Sequence, residues 1–343
     1  MAIGKEEKEA VLRVLEKGIL SGYVGNYVSG EPGFYGGQEI KDLENEWCKY
    51  FNAGNAVACN SATSGLWLAC AAIGLKPGDE CIVTPYSMSC SASMPLHFGC
   101  KPVFVDIEPD YYCIDPAKTE EKITDKTKAI IVVDLFGQPY DAEAINAIAK
   151  KHNLYVIEDA AQAIGATYKG KYAGTLGDIG VYSLNYHKHL TCGEGGIVIT
   201  DDFLLSHKLR LLMNHAEAVV GDMYQVLYRQ DTLVGMNMRM TELQAAIARE
   251  QLKKLDGILR RVRELAIHFP VNVRDDCKHS FYRYAYTEGE SRVDDKIFGC
   301  KRGYVVPIFK LPLFRRLGYD QDQCPVCQET EREIVLAWLK DGF

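Results

Sequence analysis

The chain has 343 residues, with 39 Lys plus Arg against 46 Asp plus Glu and a formal charge of −7. That balance excludes binding to nucleic acid or an anionic membrane through net charge alone. A composition of 47% hydrophobic and 25% charged residues is that of a globular protein large enough to bury a core without disulfides. The N-terminal MAIGKEEKEAV lacks an apolar h-region and reads as a charged helix rather than a signal peptide. The Gly-rich stretch from Gly22 to Gly37 reads as a long loop. Next comes the most apolar window, 56–75, which Asn60, Ser61, Thr63 and Ser64 interrupt, so it does not qualify as a membrane span. The 12 cysteines scatter through predicted strands and helices, as reduced thiols do in a cytoplasmic protein.

From residue 54 to 200 short apolar runs alternate with helical patterns. The predicted strands are Ala56–Cys59, Glu80–Thr84, Pro102–Asp106, Ala129–Asp134, Leu154–Glu158, Gly180–Leu184 and Gly196–Thr200. AIIVVDL and LYVIEDA are nearly continuous Val/Ile runs, expected of strands covered on both faces. Predicted helices at Ser64–Ile73, Ala142–Lys151 and Phe203–Asn214 fall between or after them, so the fold class is α/β with a mostly parallel central sheet flanked by helices. At Thr241 the pattern becomes one long helix, opened by the capping box TELQ and carrying Leu243, Ile247, Leu252, Leu255 and Leu259 at helical spacing. That helix leads into a smaller C-terminal α+β domain, and the expected division is 1–245 and 246–343.

Ligands of open α/β sheets bind beyond the carboxyl ends of strands. Asn60-Ser61-Ala62-Thr63-Ser64-Gly65 follows the first strand and opens a helix, which suits a phosphate, although a plain Ser/Thr cap accounts for the same residues. Asp159 ends a buried strand, where a carboxylate needs a positive partner or a helix to cap. Lys188 follows Gly180–Leu184 between His187 and His189; an imine-forming amine and a solvated loop lysine are both open readings. Together a phosphate cradle, a buried acid and a nucleophilic lysine fit pyridoxal 5′-phosphate (PLP), which requires all three.

At this point the chain resembles the DegT-type sugar-nucleotide aminotransferases, PLP enzymes of fold type I in the aspartate aminotransferase superfamily. The markers run from Gly37 to Leu255: NSATSGL, KPGDECIVTPYS, KPVFVDIEP, TKAIIVVDLFGQPYD, VIEDAAQAIGA, GDIGVYSLNYHKHLTCGEGG and GMNMRMTELQAAIAREQLKKLD. The resemblance implies Lys188 as the Schiff-base lysine and Ser183 as a phosphate contact. It likewise implies Asp159 as the acid facing the pyridine nitrogen, Gln162 as a further cofactor contact, and Ala62 and Thr63 as the phosphate-binding pair. It further implies a homodimer in which Asn237 reaches the neighbouring subunit's phosphate. Where the family places an aromatic residue against the ring, PYSMS offers Met88, with Tyr86 as the alternative.

The activity implied is transfer of an amino group, with glutamate as donor, to a keto-sugar nucleotide in deoxyaminosugar and polysaccharide biosynthesis. Two other readings remain: a sugar dehydratase on the same fold, whose members replace the Schiff-base lysine with histidine, and a regulator that keeps the fold without turnover. The family follows the Cys324-Pro325-Val326-Cys327 segment with a further stretch, so the C-terminal domain is expected to be shortened. Cys324 and Cys327, with Cys277 and Cys300 upstream, lack the second CxxC of a zinc site and read as thiols, so no metal is expected. Glu194 reads as a turn residue or a catalytic acid, and His215 and Arg239 as substrate contacts or structural groups.

Overall fold

A computed structural model describes residues 3–24, 27–28, 31–216, 233–287, 298–319 and 324–339. Part of the expected Gly22–Gly37 loop therefore lies outside the described residues. Seven strands belong to one mostly parallel sheet: β1 (Asn55–Cys59), β2 (Glu80–Val83), β3 (Lys101–Phe104), β4 (Thr127–Val133), β5 (Tyr155–Asp159), β6 (Ile179–Ser183) and β7 (Gly196–Thr200). They match the seven expected strands to within about two residues at either end, as assignment methods themselves differ. Three more strands, β8 (Tyr284–Tyr286), β9 (Phe298–Arg302) and β10 (Val335–Leu339), make a separate antiparallel sheet with β10 in the middle. The helices used below are α1 (Lys5–Lys17), α2 (Gln38–Phe51), α3 (Ala62–Ala72), α4 (Ala142–His152), α5 (Phe203–Met213), α6 (Glu242–Leu265) and α7 (Pro325–Glu333).

The chain divides into two compact units, one of Ala2–Gly74 with Val181–Leu255, the other of Leu75–Gly180 with Asp256–Phe343. The 246–343 segment does not stand as a unit of its own in this division.

In the first unit, α2 buries Ile40, Leu43, Trp47 and Phe51, spaced to form one helical face. β7 pairs antiparallel with β1, and Gly196 lies opposite Cys59. A Cβ on Gly196 would stand 2.5 Å from the Ser61 carbonyl carbon and 2.7 Å from the Ala62 nitrogen, so only glycine lets β7 pass this close to the loop after β1. α6 opens with the reciprocal cap expected of TELQ: the Thr241 amide donates to Gln244 Oε1 at 3.0 Å, and the Gln244 amide to Thr241 Oγ1 at 3.3 Å. α1 docks through Glu7, a fully buried carboxylate that accepts from Gly4 N, Gln251 Nε2 and Lys254 Nζ. Burial raises its pKa, but the bonds from Lys254, Gln251 and Gly4 outweigh that and bring it down to about 2.

In the second unit the strands run β5-β4-β2-β3, every pair parallel, with Val133 opposite Asp159. Every residue from Ala129 to Val133 is buried, which explains why this strand carries no polar alternation. Ile82, Ile130, Val132 and Val156 pack with Ile145 and Ala149 of α4. That helix starts where Asp141 Oδ1 accepts from Ala144 N, and it ends at Asn153 in the left-handed conformation. Because parallel strands leave their carboxyl ends on one edge, the residues after β2, β4 and β5 are brought together there.

Candidate active site

In the unit holding β1, β6 and β7, the site residues sit at a helix start and in one tight turn. Ser61 caps α3, its Oγ accepting from Ser64 N at 3.1 Å, and Ser64 Oγ donates to Asn60 Oδ1 at 2.6 Å. The cap satisfies Ser64; the amides of Ala62 and Thr63 head the helix, where N–H groups have no intrahelical acceptor. Thr63 is exposed and Ala62 half-buried. After β6, the Asn185 amide donates to Ser183 Oγ at 3.3 Å, and Asn185 Oδ1 accepts from His187 N at 3.1 Å. The Lys188 amide then donates to the Asn185 carbonyl at 2.9 Å. Asn185 Nδ2 donates to Glu194 Oε1 at 2.9 Å, and the Glu194 carbonyl accepts from Gln244 Nε2 at 2.7 Å. Glu194 thus ties the turn to α6. Lys188 is half-buried and Ser183 buried.

Asn237 is exposed, and its Oδ1 accepts from Arg239 Nε at 2.9 Å. Arg239 Nη1 donates to Asn214 Oδ1 at 2.9 Å, so Arg239 braces Asn237 against the end of α5. His215 is exposed beside it, with a positive φ of 64°.

In the unit holding β2, β4 and β5, the site residues are buried and their partners are remote in sequence. Asp159 is 4% exposed. Its Oδ2 accepts from Ser91 Oγ at 3.0 Å, and its Oδ1 from Ala161 N at 3.2 Å. Gln162 Oε1 accepts from Phe136 N at 3.0 Å, and its Nε2 donates to Tyr304 Oη at 3.0 Å. Phe136 sits at φ 59° in the turn after β4, a strained conformation for a bulky residue. That turn begins at Asp134, fully buried, whose Oδ1 accepts from Tyr140 N. Burial and the neighbouring Glu158 hold the Asp134 carboxyl well above its usual range, while Glu158 accepts three backbone N–H groups, from Gly174, Leu176 and Gly177.

Tyr304 packs edge-on against Tyr86 at 5.9 Å and Phe136 at 5.0 Å, and burial pushes its hydroxyl pKa up, so it stays protonated. Tyr86 is fully buried by this packing, whereas Met88 is 53% exposed. Of the two residues considered for the ring face, Met88 is the one at the surface. Ser91, Phe136 and Tyr304 were not singled out from the sequence. Phe136 falls within TKAIIVVDLFGQPYD, but the motif gives it no role, no motif marks Ser91 or Tyr304, and each is tied to Asp159 or Gln162 only by folding.

The cysteines also find places. The Cys324 and Cys327 side chains are buried at the start of α7, whose Val326 and Cys327 amides donate to the Asp106 carboxylate at 2.9 and 2.8 Å. Burial and that carboxylate push the Cys324 thiol up to about 12. Cys300 is exposed, and among the described residues no cluster of His, Cys, Asp and Glu has the makings of a metal site.

These groups fit PLP: a strand-end carboxylate shielded from water, a helix start with amides to spare, and an amine held in a pinned turn. The mostly parallel sheet flanked by helices is that of a fold-type I PLP enzyme. The chain matches the DegT/DnrJ/EryC1/StrS aminotransferase family over residues 5–279 and belongs to it; the cofactor of that family is PLP. It is 33% identical to a dTDP-3-amino-3,6-dideoxy-alpha-D-galactopyranose transaminase of Aneurinibacillus thermoaerophilus, across 98% of this chain and 90% of that one. Among solved structures, an aminotransferase of Psychrobacter cryohalolentis superposes with a TM-score of 0.82 at 30% identity, covering 98% of this chain and 92% of the other. A GDP-4-keto-6-deoxymannose-3-dehydratase with a trapped PLP-glutamate geminal diamine superposes with a TM-score of 0.80 at 25% identity, covering 98% and 93%.

Proposed function

We propose that the chain transfers an amino group from glutamate to a keto-sugar nucleotide, with Lys188 as the residue that holds the cofactor covalently and moves the proton. The observation that carries this reading is Lys188 itself: a half-buried amine in the Ser183–Lys188 turn, at the position where the family's dehydratases have histidine. PLP, when bound, supplies the electron sink that lets a proton leave the carbon next to the amine. Everything else falls to the chain. Lys188 takes and returns that proton as general base and acid. Asp159 holds the pyridine nitrogen in its charged form, and Ser91 and the Ala161 amide orient its carboxylate. The Ala62 and Thr63 amides and Ser183 bind the phosphate. Gln162, its orientation fixed by Phe136 and Tyr304, would offer its second N–H to the cofactor, and Met88 would pack on the ring.

The working form is a homodimer, in which Asn237, its Oδ1 engaged by Arg239, offers Nδ2 to the neighbouring subunit's phosphate. The cytoplasm is the compartment, consistent with twelve reduced cysteines. Among the described residues no helix is long and apolar enough to cross a membrane.

The dehydratase neighbour supplies the second reading, and one experiment separates the two. The protein, loaded with PLP, is treated with glutamate and then with a panel of keto-sugar nucleotides, and the products are weighed by mass spectrometry. Transamination exchanges the ketone oxygen for an amine and leaves 2-oxoglutarate. Loss of a hydroxyl with the ketone retained would overturn it in favour of dehydration. Bound PLP with no product from any sugar would favour a regulator.

A further inference from the structure

Three of the arginines with limited solvent access are held by carboxylates. Arg210 meets Glu44 at 2.8 Å; Arg249 meets Glu39, Asp42 and Glu46 at 2.6 to 2.9 Å; Arg274 is paired with Glu108 and with Asp141. Arg283 is also half-buried, yet among the described residues no carboxylate lies within ion-pair distance of it. One of its N–H groups, on Nη1, donates to the Tyr282 carbonyl at 2.8 Å. Its guanidinium carbon lies over the Tyr282 ring, 4.3 Å from the centroid, and 6.0 Å from the centroid of the Trp338 ring. Stacking fixes the plane of a guanidinium without neutralising it, so the remaining edge N–H groups are left to meet an anion.

The backbone that carries Arg283 is tied to the residues around Asp159. Its amide donates to the Phe136 carbonyl at 3.1 Å, the Ser280 amide to the Gly137 carbonyl at 3.0 Å, and Ser280 Oγ to the Gln162 carbonyl at 3.3 Å. The crossing is tight: a Cβ on Gly137, at φ 107°, would lie 2.5 Å from Ser280 Oγ and 2.9 Å from the Phe281 nitrogen. Phe281 is itself left-handed at φ 53°. Two strained residues and an obligatory glycine therefore set where Arg283 emerges, as expected where a site and not only a core is being built. The Tyr304 hydroxyl accepts from Gln162 Nε2 at 3.0 Å, and the charges of Asp159 and Arg283 act on it in opposite directions.

We propose that Arg283 is the receptor for an oxyanion carried by a substrate, gripped edge-on by its guanidinium fork. This rests on the aminotransferase reading, which brings two such groups to the protein: the carboxylate of the amino donor and the diphosphate of the sugar nucleotide. Both are oxyanions that arginine binds bidentately.

The test compares wild type, Arg283→Gln and Arg283→Lys in the PLP-loaded protein. One arm titrates the cofactor absorbance with glutamate. The other measures binding of UDP, GDP and dTDP by calorimetry. In one arm Arg283→Gln weakens half-saturation at least tenfold, with the larger effect on half-saturation rather than on limiting rate, and the cofactor band stays where it is in wild type. Arg283→Lys, which keeps the charge and the stem, recovers part of that loss and shows that the defect is not one of folding. A shift confined to glutamate identifies the carboxylate, and one confined to the nucleotides identifies the diphosphate. Wild-type values in both arms for Arg283→Gln would overturn the proposal. A wild-type protein that never takes up PLP would sink the aminotransferase reading instead, while the calorimetric arm would still report on Arg283.

Discussion

The residues assigned to the cofactor are held in two different ways. Around Lys188 the bonds are short in sequence and, Ser183 apart, the side chains are half-buried or exposed: Ser183 to Asn185, Asn185 to His187 and to Lys188, Asn185 to Glu194. Around Asp159 the groups are buried and the bonds long in sequence: Ser91 lies 68 positions from Asp159, and Tyr304 142 positions from Gln162. The group proposed to move a proton sits in a turn whose own bonds are mostly local. The group proposed to keep a fixed charge sits where surrounding structure over-determines it.

Substitutions on the two sides should therefore fail differently. Lys188→Ala gives the largest effect: transamination falls by about 10³-fold or more, since the group proposed to move the proton is gone, while the turn keeps the bonds that Asn185 makes within it. A wild-type rate in a glutamate-to-product assay would break the assignment. Asp159→Asn comes next, with a loss of about 10²-fold in kcat and a shifted cofactor spectrum. Here stability also moves, because the Ser91 and Ala161 bonds lose a charged acceptor, worth about 1.5–3 kcal/mol for such bonds.

Tyr304→Phe is milder still. It removes one bond to Gln162, worth about 0.5–1.5 kcal/mol, and should lower activity several-fold while leaving PLP bound. An unchanged rate would mean that Gln162 needs no positioning from Tyr304.

The smallest effect on activity lies away from both regions, at Glu7. Its folded pKa of about 2 is below the ordinary carboxylate value of 4.5. The stability it contributes is therefore fully present above pH 4.5 and is lost as the pH falls toward 2. Melting temperature followed across that window should fall less steeply for Glu7→Gln than for wild type, with no change in cofactor absorbance at neutral pH.

The same contrast accounts for what could be read from the sequence. The turn around Lys188 is contiguous, so its bond partners lie within one motif and the motif declared them. Strand positions such as Ala129–Val133 were legible because a fully covered strand has a composition of its own. Asp159 and Gln162 were visible as residue types at a strand end, but not what orients them. Ser91, Phe136, Tyr304 and Arg283 come from segments that share no spacing with Asp159, and only the crossing at Gly137 and the packing of Tyr304 bring them together. A left-handed Phe136 or Phe281 leaves no trace in composition either. Hydrophobic periodicity marks the long helix near residue 245 but does not report the non-local contacts by which residues from Asp256 onward cluster with Leu75–Gly180.

The central claim is that Lys188 carries the cofactor. Borohydride reduction of the PLP-loaded protein, followed by peptide mass mapping, tests it directly. The pyridoxyl label is predicted on the peptide containing Lys188 and nowhere else. A label on another lysine, or none on a protein that keeps its cofactor through the reduction, would contradict it.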